Sequence, residues 1–181
     1  MAFGAILFWE IARFFLNGWV ETVYIAPPFH FTYWGFSWVR PLPDWAMYLV
    51  FFCVGLASAF VCLGLFYRIA IVAVFLSMTY IFLLEKAVYL NHAYLICLIS
   101  FLMMFIPAHR RYSFDARRRP QLRSGTISAG CLWILRFQIG LPYFYGGIAK
   151  INPDWLQGQP MQLWLMNEAQ SRSSIPGLDS I

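Results

Sequence analysis

Apolar residues in this chain come in long blocks, and the polar residues collect in the gaps between them. Residues 45–67 form an uncharged block that ends at Tyr67-Arg68. That is enough to cross about 30 Å of hydrocarbon at ~1.5 Å per residue. A shorter block, 69–84, stops at Glu85-Lys86. A third runs from about Ala87 to Ala108, with Asn91-His92 near its start and Pro107 near its end. A fourth runs from about Ile127 to Ala149 around a single Arg136, and its Pro142 predicts a kink. Residues 3–16 predict a further helix, short for a crossing, in which Glu10 and Arg13 stand one turn apart and neutralise each other. The pattern predicts an all-α polytopic membrane helix bundle of about five transmembrane helices, a single membrane domain over residues 1–181 with a polar, loop-like tail at 168–181.

Composition strengthens the membrane reading: 61% of residues are hydrophobic and 20% aromatic, and only 12% are charged, against about a quarter charged in soluble domains. The net charge of +5 is not a nucleic-acid signal. It resides in one basic loop, 108–126, where Arg110, Arg111, Arg117, Arg118, Arg119 and Arg123 face a single Asp115. Loops of this kind mark the cytoplasmic side of a membrane. From that anchor the Tyr67-Arg68 turn is inside, while the loop 85–91, the segment 17–44 and the residues after Ala149 are outside. Glu85, Lys86, His92, Lys150 and Asp154 then share one membrane face. The segment 17–44 joins them, rich in rings (Trp19, Tyr24, Phe29, Phe31, Tyr33, Trp34, Phe36, Trp38) and in prolines. Rings at this depth form interfacial belts; their density also fits an aromatic lid lying on the membrane. Cys53, Cys62, Cys97 and Cys131 lie in apolar runs and act as small hydrophobes. The N-terminus lacks the basic start and small-residue cleavage site of a signal peptide.

Lys150 closes the glycine-rich fourth block, and an ionisable group at the lip of a membrane helix is a functional candidate. Two readings compete. The ammonium snorkels into the headgroups, or the lysine is desolvated under the aromatic segment and acts as a base. Pairing with Asp154 would oppose the second. Counting back in helical steps puts Gly147 or Gly146, Tyr143 and Arg136 on the same face, Arg136 roughly 21 Å below Lys150. The glycines serve either close helix packing or a groove for a flat or chain-like apolar ligand. Arg136 needs a carboxylate, carbonyls or a ligand oxygen, and Glu10 is a candidate partner. His92 is an interfacial or capping residue, or else an orienting or proton-relay group together with His30. His30, His92 and His109 show no metal-ligand spacing, so no metal is expected.

Several of these segments together resemble a known family. Leu135-Arg-Phe-Gln-Ile139 and Gly146-Gly-Ile-Ala-Lys-Ile-Asn-Pro-Asp-Trp-Leu-Gln-Gly158 are similar to the vitamin K-dependent γ-glutamyl carboxylases. The similarity is closer still to their bacterial relatives, the HTTM (horizontally transferred transmembrane) domain proteins. Phe29-His-Phe-Thr-Tyr33, Leu42-Pro43 with Met47-Tyr-Leu49, Gly64-Leu-Phe-Tyr-Arg68, Phe82-Leu-Leu-Glu-Lys86 and Asn91-His92 with Tyr94-Leu95 follow in the family's order, so the resemblance covers nearly the whole chain. It implies that Lys150 matches the catalytic lysine and His92 the histidine of the family. It implies vitamin K hydroquinone or menaquinol as cofactor, with O2 and CO2. The isoprenoid quinone would lie along Arg136, Gln138, Tyr143, Gly146 and Gly147. The location implied is the bacterial inner membrane, with Lys150 and His92 at its outer face.

Two departures shape the expected function. The sequence stops near residue 181, where the family continues with further membrane helices, and the lysine is single where the carboxylases carry a pair. The expectation is therefore a truncated or reduced HTTM-like chain that deprotonates a quinol to drive oxygenation or epoxidation, with carboxylation a further step. The alternative is a non-catalytic membrane subunit that packs against a larger complex, whose other subunits supply the missing helices, and binds lipid, quinone or pigment. A transporter has little support, because no inverted repeat is visible.

Overall fold

The computed structural model describes residues 1–173, and among them every regular element is helical. Helix α1 spans Ala2–Leu16, and a short π-helical turn covers Val20–Ile25. Helices α2 (Asp44–Leu63), α3 (Tyr67–Leu84) and α4 (Asn91–Phe105) follow. The basic loop contains α5 (Phe114–Arg118) and a single 3-10 turn at Pro120–Leu122. Then come α6 (Ala129–Ala149), α7 (Pro153–Leu156) and α8 (Gln159–Ser173). The chain divides after Arg136 into two compact units.

In the first unit each long helix packs on the one before it: α1 on α2, α2 on α3, α3 on α4. The sequence explains why. Buried positions in α2 fall at Met47, Phe51, Val54, Ser58 and Val61, and in α3 at Tyr67, Ile71, Val74, Met78 and Ile81. Steps alternating between four and three residues keep one seam facing the neighbouring helix, as in left-handed helix pairs. The α1–α2 contact is closer still. A Cβ on Gly4 would collide with the α2 backbone at Ser58 and Cys62, and one on Gly55 would press on Ile11. Small residues at such crossings are the usual way two membrane helices approach. Ser58 folds its hydroxyl back onto the Val54 carbonyl (2.7 Å), so its burial leaves no orphan group.

Helix α2 stops where Gly64 takes a left-handed conformation (φ 64°). The amides of Gly64 and Leu65 close back onto Val61 and Phe60 carbonyls at 3.3 and 2.9 Å, a Schellman stop. Phe66, at φ 46°, then turns the chain into α3. The turn therefore lies at 64–66 and Tyr67 opens α3, whereas the apolar run had placed Tyr67 at the end of the preceding span. The third block is similarly trimmed: residues 87–90 belong to the loop, and α4 begins at Asn91. Pro142 does not interrupt α6, which runs through it. The tail expected to be a loop from 168 is helical through Ser173, and residues 174–181 lie outside the described residues.

Helices α2 and α3 are both long and apolar enough to cross a membrane, with mean hydropathies of 2.3 and 2.0. Helix α4 is apolar but has only 15 residues, about 22 Å of rise. In the second unit α7 packs on α8, with the Trp155 and Trp164 rings edge to face at 6.1 Å.

Candidate functional site

Helix α3 gives the first unit two distinct ends. At its C-terminal end, Glu85 is the capping residue, with its side chain only 6% exposed. One carboxylate oxygen accepts from the Phe31 amide (3.3 Å) and the Ala87 amide (2.8 Å); the other stands 3.0 Å from His30 Nδ1. An ionised carboxylate only accepts, so the imidazole proton of this pair belongs on Nδ1. The Lys86 amide donates to the Phe31 carbonyl at 2.7 Å, and the Tyr33 ring stacks on Phe82 at 5.2 Å. Glu85 thus fastens the segment 29–33 to the end of α3. Among the rings of the 17–44 segment, Tyr24 is buried, while Trp34 and Trp38 project outward, 98% and 74% exposed.

Around this end lies a cleft of about 560 Å³, walled by Phe14, Trp19, Val23, Val88 and Leu90, with Glu10, Arg13 and His92 as its polar groups. Its volume falls in the range of small-molecule sites. A narrower cavity continues inward past Tyr24, Met78 and Phe82 to Glu85, sharing Glu10, Phe14 and His92 with the cleft. Arg13 and Glu10 are paired through the same guanidinium nitrogen at 2.9 and 3.1 Å. Burial pushes the Tyr24 phenol up to about 12, with the charge of Glu85 adding to the effect. Tyr24 therefore keeps its proton at neutral pH and can only present a neutral hydroxyl. His92 lies in the first turn of α4, exposed, with its ring in the cleft wall.

The structure separates other expectations. His30 is engaged by Glu85 rather than by His92. Glu10 is taken by Arg13, so it is not the partner of Arg136, whose guanidinium sits over the Trp133 ring at 5.5 Å. Gly140, Gly146 and Gly147 all lie on α6. Gln138 and Tyr143 lie on the same helix. Among the described residues no group of three His, Cys, Asp or Glu side chains converges as a metal site.

In the second unit the Lys150 motif is a helix stop followed at once by a helix start. Asn152 donates to the Ala149 carbonyl (2.9 Å) and accepts from the Trp155 amide (3.0 Å), capping α7 with Pro153 behind it. This brings Trp155 under Lys150, whose ammonium lies 4.9 Å from the ring centroid. The contact is cation–π, and Asp154 is not the partner. Lys150 is exposed.

The role of Glu85 was hidden from sequence reasoning because His30 and Phe31, the two partners that make it a fastener, lie more than fifty residues upstream. Its only local sign was an acidic residue at the negative end of a helix, where the dipole disfavours it. The two motifs it joins, Phe29–Tyr33 and Phe82–Lys86, are among those that carried the resemblance. No solved structure matches the chain. The HTTM domain family model matches residues 1–177, and the chain belongs to the HTTM domain family.

Proposed function

We propose that this HTTM chain is a membrane protein that binds an isoprenoid quinol and deprotonates it for oxygenation, as the resemblance to the vitamin K-dependent carboxylases implies. The observation that carries the reading is the histidine cleft. It offers a flat apolar ring a wall of Phe14, Trp19, Val88 and Leu90, and offers a ring hydroxyl the His92 imidazole beside the Glu10–Arg13 pair. In this reading His92 orients the quinol by hydrogen bonding and relays its proton. Lys150 is the base that the resemblance implies. Quinol and dioxygen then give the quinone epoxide and water, and carboxylation of a glutamate side chain with CO2 would be a further step. Arg136, Gln138, Tyr143, Gly146 and Gly147 would follow the isoprenoid chain along α6.

The same reading assigns five crossings, α1 to α4 and α6, in a bacterial inner membrane. The arginine loop would be cytoplasmic, with His92 and Lys150 on the outer face. The short α4 would be met by local thinning of the bilayer.

The test is turnover. The purified chain is supplied with reduced vitamin K or menaquinol and oxygen, and epoxide is measured. The wild type is expected to form epoxide, Lys150→Ala to abolish it, and His92→Ala to reduce it by about two orders of magnitude. Absence of turnover in the wild type, or turnover unchanged in Lys150→Ala, removes the catalytic reading. The second reading, a non-catalytic subunit of a larger membrane complex, rests on the outward-facing Trp34 and Trp38 rings of the first unit. It gains if the chain is stable only when co-purified with other membrane subunits.

A further inference from the structure

The arginine loop is a folded element, and its folding matters. Ser113 caps α5 by accepting from the Ala116 amide, the Ser124 amide closes onto the Arg110 carbonyl, and Asp115 binds the α2–α3 turn. Around this scaffold lies a cleft of about 610 Å³, rimmed by Arg68, Arg110, Arg118 and Arg119, with Ile69 and Leu122 as apolar wall.

The only carboxylate lining that cleft, Asp115, offsets one of its four positive charges and leaves the rest. Both oxygens of Asp115 are committed, at 3.0 and 2.9 Å, to the amides of Phe66 and Tyr67. Among the described residues no carboxylate forms an ion pair with these four guanidinium groups. Two of them are nevertheless positioned: Arg68 donates to the Met104 carbonyl at 2.6 Å, and Arg118 lies 5.5 Å from the Phe66 ring centroid. A loop that acts only as a topology signal needs charge and no cleft. Guanidinium groups crowded around a concavity match a phosphate, which accepts several of their N–H groups at once. The apolar wall adds a second requirement, because Ile69 projects from α3 and is 72% exposed.

We propose that this cleft binds the phosphate headgroup of an anionic phospholipid, with Arg118 and Arg119 as its principal ligands and Ile69 against the start of an acyl chain. The proposal rests on the membrane reading above but not on catalysis, since it involves neither Lys150 nor His92.

The experiment uses the full chain in detergent, titrated by native mass spectrometry with dioctanoyl-phosphatidylglycerol, dioctanoyl-phosphatidylcholine and inorganic phosphate. The anionic lipid is expected to bind tightest, with about a fivefold loss for each guanidinium removed, so on the order of 25-fold for Arg118→Gln with Arg119→Gln. Arg123→Gln removes the same charge from the same loop but lines a different cleft, and is expected to stay within about twofold of wild type. All three arginines are exposed, so these variants leave the core intact. Equal binding of the two lipids overturns the proposal, and so does an Arg123→Gln loss per charge as large as that of the double variant. Displacement of the lipid by an equal concentration of inorganic phosphate overturns the lipid assignment in favour of a soluble phosphate. Alkaline extraction of the chain from membranes tests the membrane reading separately, and epoxide turnover tests the catalytic one.

Discussion

Both ends of α3 are held by a single carboxylate that accepts two backbone amides, yet the two stand in opposite electrostatic settings. Asp115 binds the amides of Phe66 and Tyr67, at the helix N-terminus, where the dipole and the free amides favour negative charge. Glu85 caps the C-terminus, where the dipole opposes it, and it is more deeply buried. Its charge is offset by two amides and His30 instead. The N-terminal arrangement is what any helix start would welcome, whereas the C-terminal one is costly and is maintained by a segment that must be brought in from far upstream. A costly carboxylate next to a cleft is better evidence of function than a favourable one under a loop.

The largest effect should come from removing the costly one. Glu85→Ala strands His30 and the Phe31 and Ala87 amides together, and is expected to cost about 3 kcal/mol. It should also release the 26–44 segment to limited proteolysis, followed beside thermal unfolding in detergent. Glu85→Gln retains an acceptor for one or two of the donors and should fall between. If Glu85→Ala unfolds no earlier than wild type and its 26–44 segment stays protected, the segment is not fastened by this carboxylate.

Next in size is Gly64→Ala at the other end. It forces a Cβ into the left-handed conformation and into the Ser113 side chain and Cα. About 2 kcal/mol is expected, from strain and overpacking together. Asp115→Ala should cost less, roughly 1 to 2 kcal/mol, because the amides it leaves lie at an exposed helix start that water can reach. If Asp115→Ala proves more damaging than Glu85→Ala, the ordering of the two ends is reversed and the functional weight given to Glu85 goes with it.

How legible each end was in the sequence follows from the same contrast. Apolar blocks located α1 to α4 to within a few residues, because in a chain this apolar the helix gaps are where the polar residues are. The Glu10–Arg13 pair was legible too, since one helical turn fixes it. Glu85 and Asp115 were not: the segments they fasten, at Phe31 and Phe66, lie 54 and 49 positions away in sequence, and nothing local encodes such a distance. Lys150 shows the intermediate case. Asn152-Pro153 is a readable helix start, and the new helix rather than charge put Trp155, not Asp154, against the ammonium. The resemblance assigned Lys150 and His92 their expected roles. It did not reveal that its other motifs act chiefly as fasteners: Tyr67 donates to the Met103 carbonyl, and Tyr48 to Glu21.

The smallest expected effect is a pH dependence confined to the basic end. His109 stacks on Tyr67 at 5.0 Å, and its Nδ1 is buried without a partner. Burial lowers its proton affinity below the ordinary 6.5, and Arg68 and Arg110 add to this while Asp115 opposes it. The unfolded chain then binds more protons than the folded one below about pH 6.5, so stability contributed by the neutral ring is present above that pH and is lost as pH falls through it. Less than about 1 kcal/mol is expected for this one imidazole. The signature is a fall in Tm between pH 7 and pH 5 that disappears in His109→Gln. Protection of the 26–44 segment should not change in that comparison, because His109 is at the opposite end of α3. If the segment opens with the same midpoint, and does so only when His109 is present, the two ends are coupled through α3 rather than fastened independently.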